Sequence, residues 1–344
     1  MPPSLTTPYA WTLFAVCVAV IAMAGSALVR SAERVAEIAG WTRSWVGVIL
    51  LATVTSLPEL VTGVASVTVA GTPDIAVGDV LGSVVFNLAL LFLLDALCRH
   101  EPLYTRTSAN HVLSAAIGIV LFGIVTFALL LPEALRPPQI FHVSSSSVVL
   151  VLIYFAAVRL VFSIEHRDLP DRGHDAGAPA ARLGPALGSL LVPAILVFAA
   201  GSALPFAGRA VAASMGWSES FVGTLFVALA TSVPEAAVTI AAVRSGSVDM
   251  AVGGLLGSNL FNMLILAVDD LFYTRGPLLG AVALVHALSA VSACIMSATV
   301  IAGLVYRPRG RVLGTVGWVS VLLFSIYALN VLVIFLSSSA VTPR

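Results

Sequence analysis

Lysine does not occur in this 344-residue chain, and charge of either sign is scarce: 17 arginines balance 17 acidic residues, together 10% of the sequence. A soluble domain of this length needs far more charge to cover its surface, which excludes an ordinary soluble fold. The net charge is zero, so no basic field points to nucleic acid and no acidic field to a cationic partner. The three cysteines, Cys17, Cys98 and Cys294, lie far apart in apolar stretches. They have neither disulfide nor zinc spacing and read as small packing residues. No His-Glu-x-x-His stretch exists, which removes the zinc-protease pattern. The N-terminus carries no basic n-region ahead of its long first apolar run, so that run is expected to be a retained helix rather than a signal peptide.

What is abundant is apolar sequence: 59% hydrophobic residues and a mean hydropathy of +1.04. A helix needs about 20 apolar residues to cross a hydrocarbon core. Ten stretches qualify: 9–29, 45–70, 74–95, 109–131, 143–164, 185–208, 220–243, 249–271, 277–305 and 313–337. The charged, Pro/Gly/Ala-rich segment 165–184 reads as a flexible cytoplasmic linker. The expected fold is therefore an all-α membrane protein of ten transmembrane helices, divided 1–164 and 185–344. With both termini outside, 13 arginines fall on the inner side and 4 on the outer, so this orientation in a cell membrane is expected.

The halves repeat. Ala24-Gly25-Ser26-Ala27-Leu28 aligns with Ala200-Gly201-Ser202-Ala203-Leu204, Gly40-Trp41 with Gly216-Trp217, and Val46-Gly47 with Val222-Gly223. The same offset places Thr55-Ser56-Leu57-Pro58-Glu59 over Thr231-Ser232-Val233-Pro234-Glu235, and 18 of the 42 positions in 24–65 are identical. After one gap, Asp74 to Asn87 aligns with Asp249 to Asn262. Five spans per half invert the second copy in the membrane, an arrangement that places a binding site near the midplane.

Glu59 and Glu235 fall deep within the second and seventh stretches, with no arginine nearby in the same spans to neutralise them. A charge there costs about 2.5–3.5 kcal/mol even on mild scales, so a bound cation, a proton or a water-filled cavity must compensate. Pro58 and Pro234 each free a carbonyl four residues back, at Val54 and Ala230. The hydroxyls of Thr55, Ser56, Thr231 and Ser232 lie on the same turn. Two carboxylates among neutral oxygens suit a hard cation, and two negative charges balance calcium. Ser83 and Asn87, and likewise Ser258 and Asn262, are four apart on one helix face. Asp79 falls one turn before Ser83, opposite Gly254 in the repeat; it reads equally as a ligand or as a water-facing carboxylate. Gly78, Gly82, Gly253 and Gly257 permit close helix packing. Asp95, Asp269 and Asp270 are expected to be solvated at the interface, and Asp74 and Asp249 to serve as helix N-caps.

The paired Thr-Ser-x-Pro-Glu and Gly-Ser-x-x-Phe-Asn segments resemble the two alpha-repeats of the cation/calcium exchanger superfamily, most closely its prokaryotic sodium/calcium exchanger (sodium:calcium antiporter) branch. The resemblance implies a monomeric antiporter that exchanges Ca2+ for Na+ across the lipid bilayer, with the ions as cargo and no cofactor. It implies Glu59 and Glu235 as central calcium ligands, assisted by backbone oxygens at Thr55 and Thr231. Ser56, Ser232, Ser83 and Ser258 help form flanking sodium sites, and Asn87 and Asn262 sit at the middle. Gating by the first and sixth spans, sliding on Gly25 and Gly201, is implied as well. The chain departs from the family pattern at Val54, Ala230, Val84, Asp79, Gly254 and the Asn87/Asn262 pair, which leaves ion selectivity open. Coupling to H+ in place of Na+ is the alternative. An intramembrane aspartyl hydrolase built on Asp79 is the distant one, lacking an evident second aspartate.

Overall fold

The computed structural model describes residues 7–38, 52–98, 101–135, 139–168, 183–312 and 314–340. The expected features at Gly40-Trp41 and Val46-Gly47, the start of the second stretch, linker residues 169–182, and Arg43, Arg99, Arg136, Arg172, Arg182 and Arg344 lie outside these residues.

The first half runs through α1 (Thr7–Ile38), α2 (Leu57–Ala65), α3 (Pro73–Leu97), α4 (His111–Leu130) and α5 (Ser145–Asp168). The second comprises α6 (Leu183–Met215), α7 (Glu219–Val222), α8 (Ala228–Thr231), α9 (Val233–Arg244), α10 (Val248–Phe272), α11 (His286–Tyr306) and α12 (Trp318–Ala340). A π-helical turn at Ser66–Ala70 extends α2, and another at Gly223–Val227 joins α7 to α8. A two-residue hairpin, β1 (Arg311–Val312) with β2 (Val316–Gly317), precedes α12.

Seven of the described helices are long and apolar enough to cross a membrane, and the segment Glu219–Arg244 makes an eighth if its two parts, bent by 49° around Ser232, count as one span. The protein is thus a multi-pass helical membrane protein. Two shorter apolar helices, Leu57–Ala70 and Ser145–Val161, occupy the second and fifth expected stretches. Several boundaries differ from the expectation. The ninth helix begins at His286 rather than residue 277, because Pro277 and the 3-10 turn Leu278–Gly280 hold the preceding segment off the helix. Glu165 to Asp168, assigned to the linker, continue α5.

Helices α3 and α10 form the centre: 72% of the apolar window of each is buried, against 28% for α12 and 33% for α6. Around them α4, α5, α11 and α12 complete the main core with Leu121, Leu150, Met296 and Leu323. Side chains exposed on the outer helices, such as Phe127, Leu191 and Val305, are apolar, as a lipid-facing surface requires. Helices α1 and α6 pack along each other through Phe14, Cys17, Ile21, Leu204 and Val211. They touch α9 and α2 at glycines: a Cβ on Gly25 would lie 2.5 Å from Pro234 Cγ, and one on Gly201 would lie 3.1 Å from Val61 Cγ1.

The acidic residues at the ends of α3 and α10 correct the expectation of interfacial solvation, for Asp95, Asp269 and Asp270 are all at most 1% exposed. Asp95 accepts from Leu103 N (2.9 Å), Gly317 N (2.7 Å) and Ser320 Oγ (2.8 Å), thereby fastening the start of α12. Asp270 does the same for α5, accepting from Leu278 N (2.6 Å), Ser144 N (2.8 Å) and Ser147 Oγ (2.6 Å). Each carboxylate therefore caps a helix of the opposite half, where the unpaired N–H groups favour an anion. Asp74 and Asp249 likewise serve a neighbour's helix start rather than their own. Asp74 accepts from Ala283 N and meets His286 Nε2 (both 2.9 Å), and Asp249 accepts from Ser108 N (2.6 Å) and meets His111 Nε2 (3.0 Å).

Candidate cation site

The helix paths through the second and seventh stretches break at Ser56 and Ser232, whose backbones leave the helical basin at φ −91°, ψ 13° and φ −82°, ψ 6°. Proline follows two residues later, where its missing N–H costs nothing because the first turn has no acceptor for it. Glu59 and Glu235 then sit in the first turns of α2 and α9, where helix dipoles favour negative charge. The Ser-x-Pro-Glu pattern thus builds two helix N-termini inside the protein, each bearing a carboxylate that is at most 3% exposed.

The two breaks face each other reciprocally. Ser56 Oγ donates to Glu235 Oε1 at 2.9 Å, and Ser232 Oγ donates to Glu59 Oε1 at 3.1 Å. Ser83 Oγ from α3 lies 2.9 Å from Ser232 Oγ. Thr231 Oγ1 donates to Asp79 Oδ1 at 2.8 Å, and Asn87 Nδ2 donates to Asn259 Oδ1 at 3.1 Å, joining α3 to α10. A Cβ on Gly82 would collide with Thr224 O and lie 2.7 Å from Ala228 Cβ, so this glycine lets α3 reach the broken helix.

Five buried acceptor oxygens in these side chains have no hydrogen-bond partner among the described residues: Glu59 Oε2, Glu235 Oε2, Asp79 Oδ2, Asn87 Oδ1 and Asn262 Oδ1. Buried polar atoms are nearly always paired, and here the missing partner is in every case a positive or donating group. The set contains only oxygen, which suits a hard cation rather than a soft one. No group of three or more His, Cys, Asp or Glu side chains gathers with metal-site geometry among the described residues, so the Glu59, Glu235 and Asp79 carboxylates are spread among neutral oxygens rather than converging on one point.

The remaining expected residues separate into those inside this network and those beside it. The Thr55 hydroxyl turns back to Ala52 O at 3.0 Å, leaving its side chain on its own helix. Ser258 is buried on α10 one turn before Asn262. Asp79 is fully buried, so its water-facing reading fails. Gly78 and Gly253 are close-contact positions as expected, but a Cβ on Gly257 or Gly254 would meet nothing within 4 Å. Asn259 was missed as a bridge to Asn87, although it is the one Asn that the Gly-Ser pattern keeps in the second half. His111 and His286, equivalent by an offset of 175, were missed as partners of Asp249 and Asp74 because they lie outside the motifs.

A family model described as sodium/calcium exchanger protein matches residues 9–163 and 185–336. The chain belongs to the sodium/calcium exchanger family. Family members are exchangers, hence transporters rather than enzymes. The inner membrane protein YrbG of Escherichia coli strain K12 is 26% identical over 254 residues, 67% of this chain and 72% of YrbG. Among solved structures, the H+/Ca2+ exchanger CAX is similar with a TM-score of 0.67 at 14% identity, covering 96% of this chain and 87% of its own. The sodium-calcium exchanger NCX_Mj has a TM-score of 0.59 at 18% identity, covering 95% and 99%. At such identities the structural likeness establishes a shared fold.

Proposed function

We propose that this exchanger-family chain is a secondary antiporter that moves Ca2+ against Na+ by alternating access at the reciprocal Ser-Glu site. The observation that carries this reading is the orphaned oxygen set around Glu59 and Glu235. Two carboxylates balance a divalent charge, and the amide oxygens of Asn87 and Asn262 supply part of the six to eight oxygens calcium takes. Ser56, Ser232, Ser83 and Ser258 contribute neutral hydroxyls for the singly charged Na+, while Thr55 and Thr231 act through their backbone carbonyls. In this reading the chain has ten spans in two inverted five-helix halves, 1–164 and 185–344, with both termini outside. It works as a monomer, and no cofactor takes part.

Alternating access has support in an asymmetry. Gly25 meets Pro234, so strict equivalence of the halves would set Gly201 against Pro58; instead Gly201 meets Val61, three residues further along α2. Three residues are about 4.5 Å of helix, a displacement suited to α1 and α6 sliding together past the rest.

Proton coupling is the second reading. Asp79, which the second half replaces with Gly254, adds a third buried carboxylate that among the described residues accepts only from Thr231, at 2.8 Å. An aspartyl hydrolase reading is not supported, because Asp79 pairs with a threonine rather than a second aspartate. Binding of radioactive calcium to purified protein, titrated with Na+ at fixed pH and with pH at fixed Na+, tests the reading. Displacement by Na+ supports sodium exchange, displacement by acid alone moves the coupling ion to H+, and absence of binding removes calcium as cargo.

A further inference from the structure

One buried carboxylate belongs to neither the reciprocal site nor the helix caps. Asp269 is 0% exposed, and neither of its oxygens has a hydrogen-bond partner among the described residues. Its carboxylate lies on the backbone of Gly63: a Cβ there would be 2.5 Å from Oδ1 and 2.8 Å from Cγ. Gly63 is one turn beyond Glu59 on α2, and Asp269 is two turns beyond Asn262 on α10. The equivalent positions in the other half hold Thr239 and Leu94, so the Gly63–Asp269 pair has no counterpart there.

We propose that Asp269 is a proton-binding site separate from the paired glutamates, loaded while the central site lacks a cation and emptied when a divalent cation arrives. The inference rests on the antiport reading above and adds a proton to its cycle. An ionised carboxylate in this position has no donor and no counter-ion, the condition under which a buried acid takes up a proton instead. A metal ion does not fit well, because it needs several oxygens and Asp269 joins no group of three or more His, Cys, Asp or Glu side chains among the described residues. The ionisable groups with described side chains on the elements packed against α10 are Glu59 on α2, Asp74, Asp79 and Asp95 on α3, His111 on α4, Tyr154 and Arg159 on α5, and Glu235 and Arg244 on α9. On its own helix Asp270 is adjacent. None of these pairs with Asp269, and those nearest the site are acidic. Burial without a donor, with the neighbouring Asp270 carboxylate and the negative charge of the central site one turn away along α2, favours the proton on Asp269. A divalent cation neutralises that charge, the Asp269 O–H bond breaks, the oxygen keeps the electron pair and the proton passes to water.

Two measurements on the full-length protein test this. Infrared difference spectra of calcium-free protein should show a carboxylic-acid C=O band that disappears in Asp269→Asn and is lost from the wild type on adding calcium. Asp269→Leu, which installs the residue of position 94, replaces Asp269→Asn if that variant misfolds. Calcium added to unbuffered protein with a pH dye should release about one proton fewer per bound calcium in the variant than in the wild type. Absence of an Asp269-dependent acid band overturns the proposal. So does a variant that binds calcium and releases as many protons as the wild type. A wild type that binds no calcium refutes the antiport reading, and the infrared band then decides Asp269 alone.

Discussion

Replacing Gly82 and Gly257 with alanine, one at a time, separates a packing requirement from a sequence pattern. The two glycines are equivalent by sequence, yet only Gly82 is pressed against its neighbours, with Thr224 O and the Ala228 methyl where a Cβ would go. Thr224 O belongs to a backbone fixed by the π-helical turn, so α3 itself must move. Overpacking of this kind costs about 1–3 kcal/mol. Both substitutions gain about 1 kcal/mol of helix propensity. That gain cancels in the comparison, so Gly82→Ala should be about 1–3 kcal/mol less stable than Gly257→Ala. On the scale of large domains this is a gap of about 2–12 °C in apparent melting temperature. Heating each variant in detergent and following the loss of monodisperse protein by size-exclusion chromatography measures it. Equal melting temperatures for the two variants, or a lower one for Gly257→Ala, would refute the reasoning.

Three further outcomes follow from the hydrogen bonds. Ser56→Ala and Ser232→Ala each remove one charge-assisted bond to a glutamate of the other half, worth about 1.5–3 kcal/mol. Each should change calcium affinity about tenfold or more in equilibrium binding and lower the melting temperature by about 3–12 °C. Asp95→Ala strands three buried donors, and so does Asp270→Ala. At about 1–3 kcal/mol per donor either variant should lose at least about 3 kcal/mol and give mostly aggregated protein in size-exclusion profiles. Asp249→Asn keeps an acceptor for Ser108 N, so it should melt at a higher temperature than Asp249→Ala, which removes that acceptor.

The helical membrane class and the paired Pro-Glu breaks were legible because hydropathy and proline act locally. Pro58 and Pro234 suit the first turn of a helix rather than its interior, and a glutamate beside each in an apolar run demands compensation. The crossing of the bonds was not legible: that Ser56 serves Glu235 and Ser232 serves Glu59 depends on how the broken helices face each other. Asp95 and Asp270 were misread for a related reason. A carboxylate at the end of an apolar run looks interfacial, and Asp95's donors at Gly317 and Ser320 lie more than 220 residues away. The ninth helix was drawn too early because apolar residues continue back to Pro277 without a polar boundary. Asp269 and Gly63 were invisible as a pair, since the repeat that exposed the other site residues gives Leu94 and Thr239 there.

The central claim is that the Glu59 and Glu235 carboxylates hold calcium during exchange. The most direct test is radioactive calcium uptake into proteoliposomes under an imposed sodium gradient, comparing wild type with Glu59→Gln and Glu235→Gln. The account predicts sodium-driven uptake in the wild type and none above protein-free liposomes in either variant, with all three proteins monodisperse. Uptake that persists in a folded Glu59→Gln or Glu235→Gln variant would contradict it.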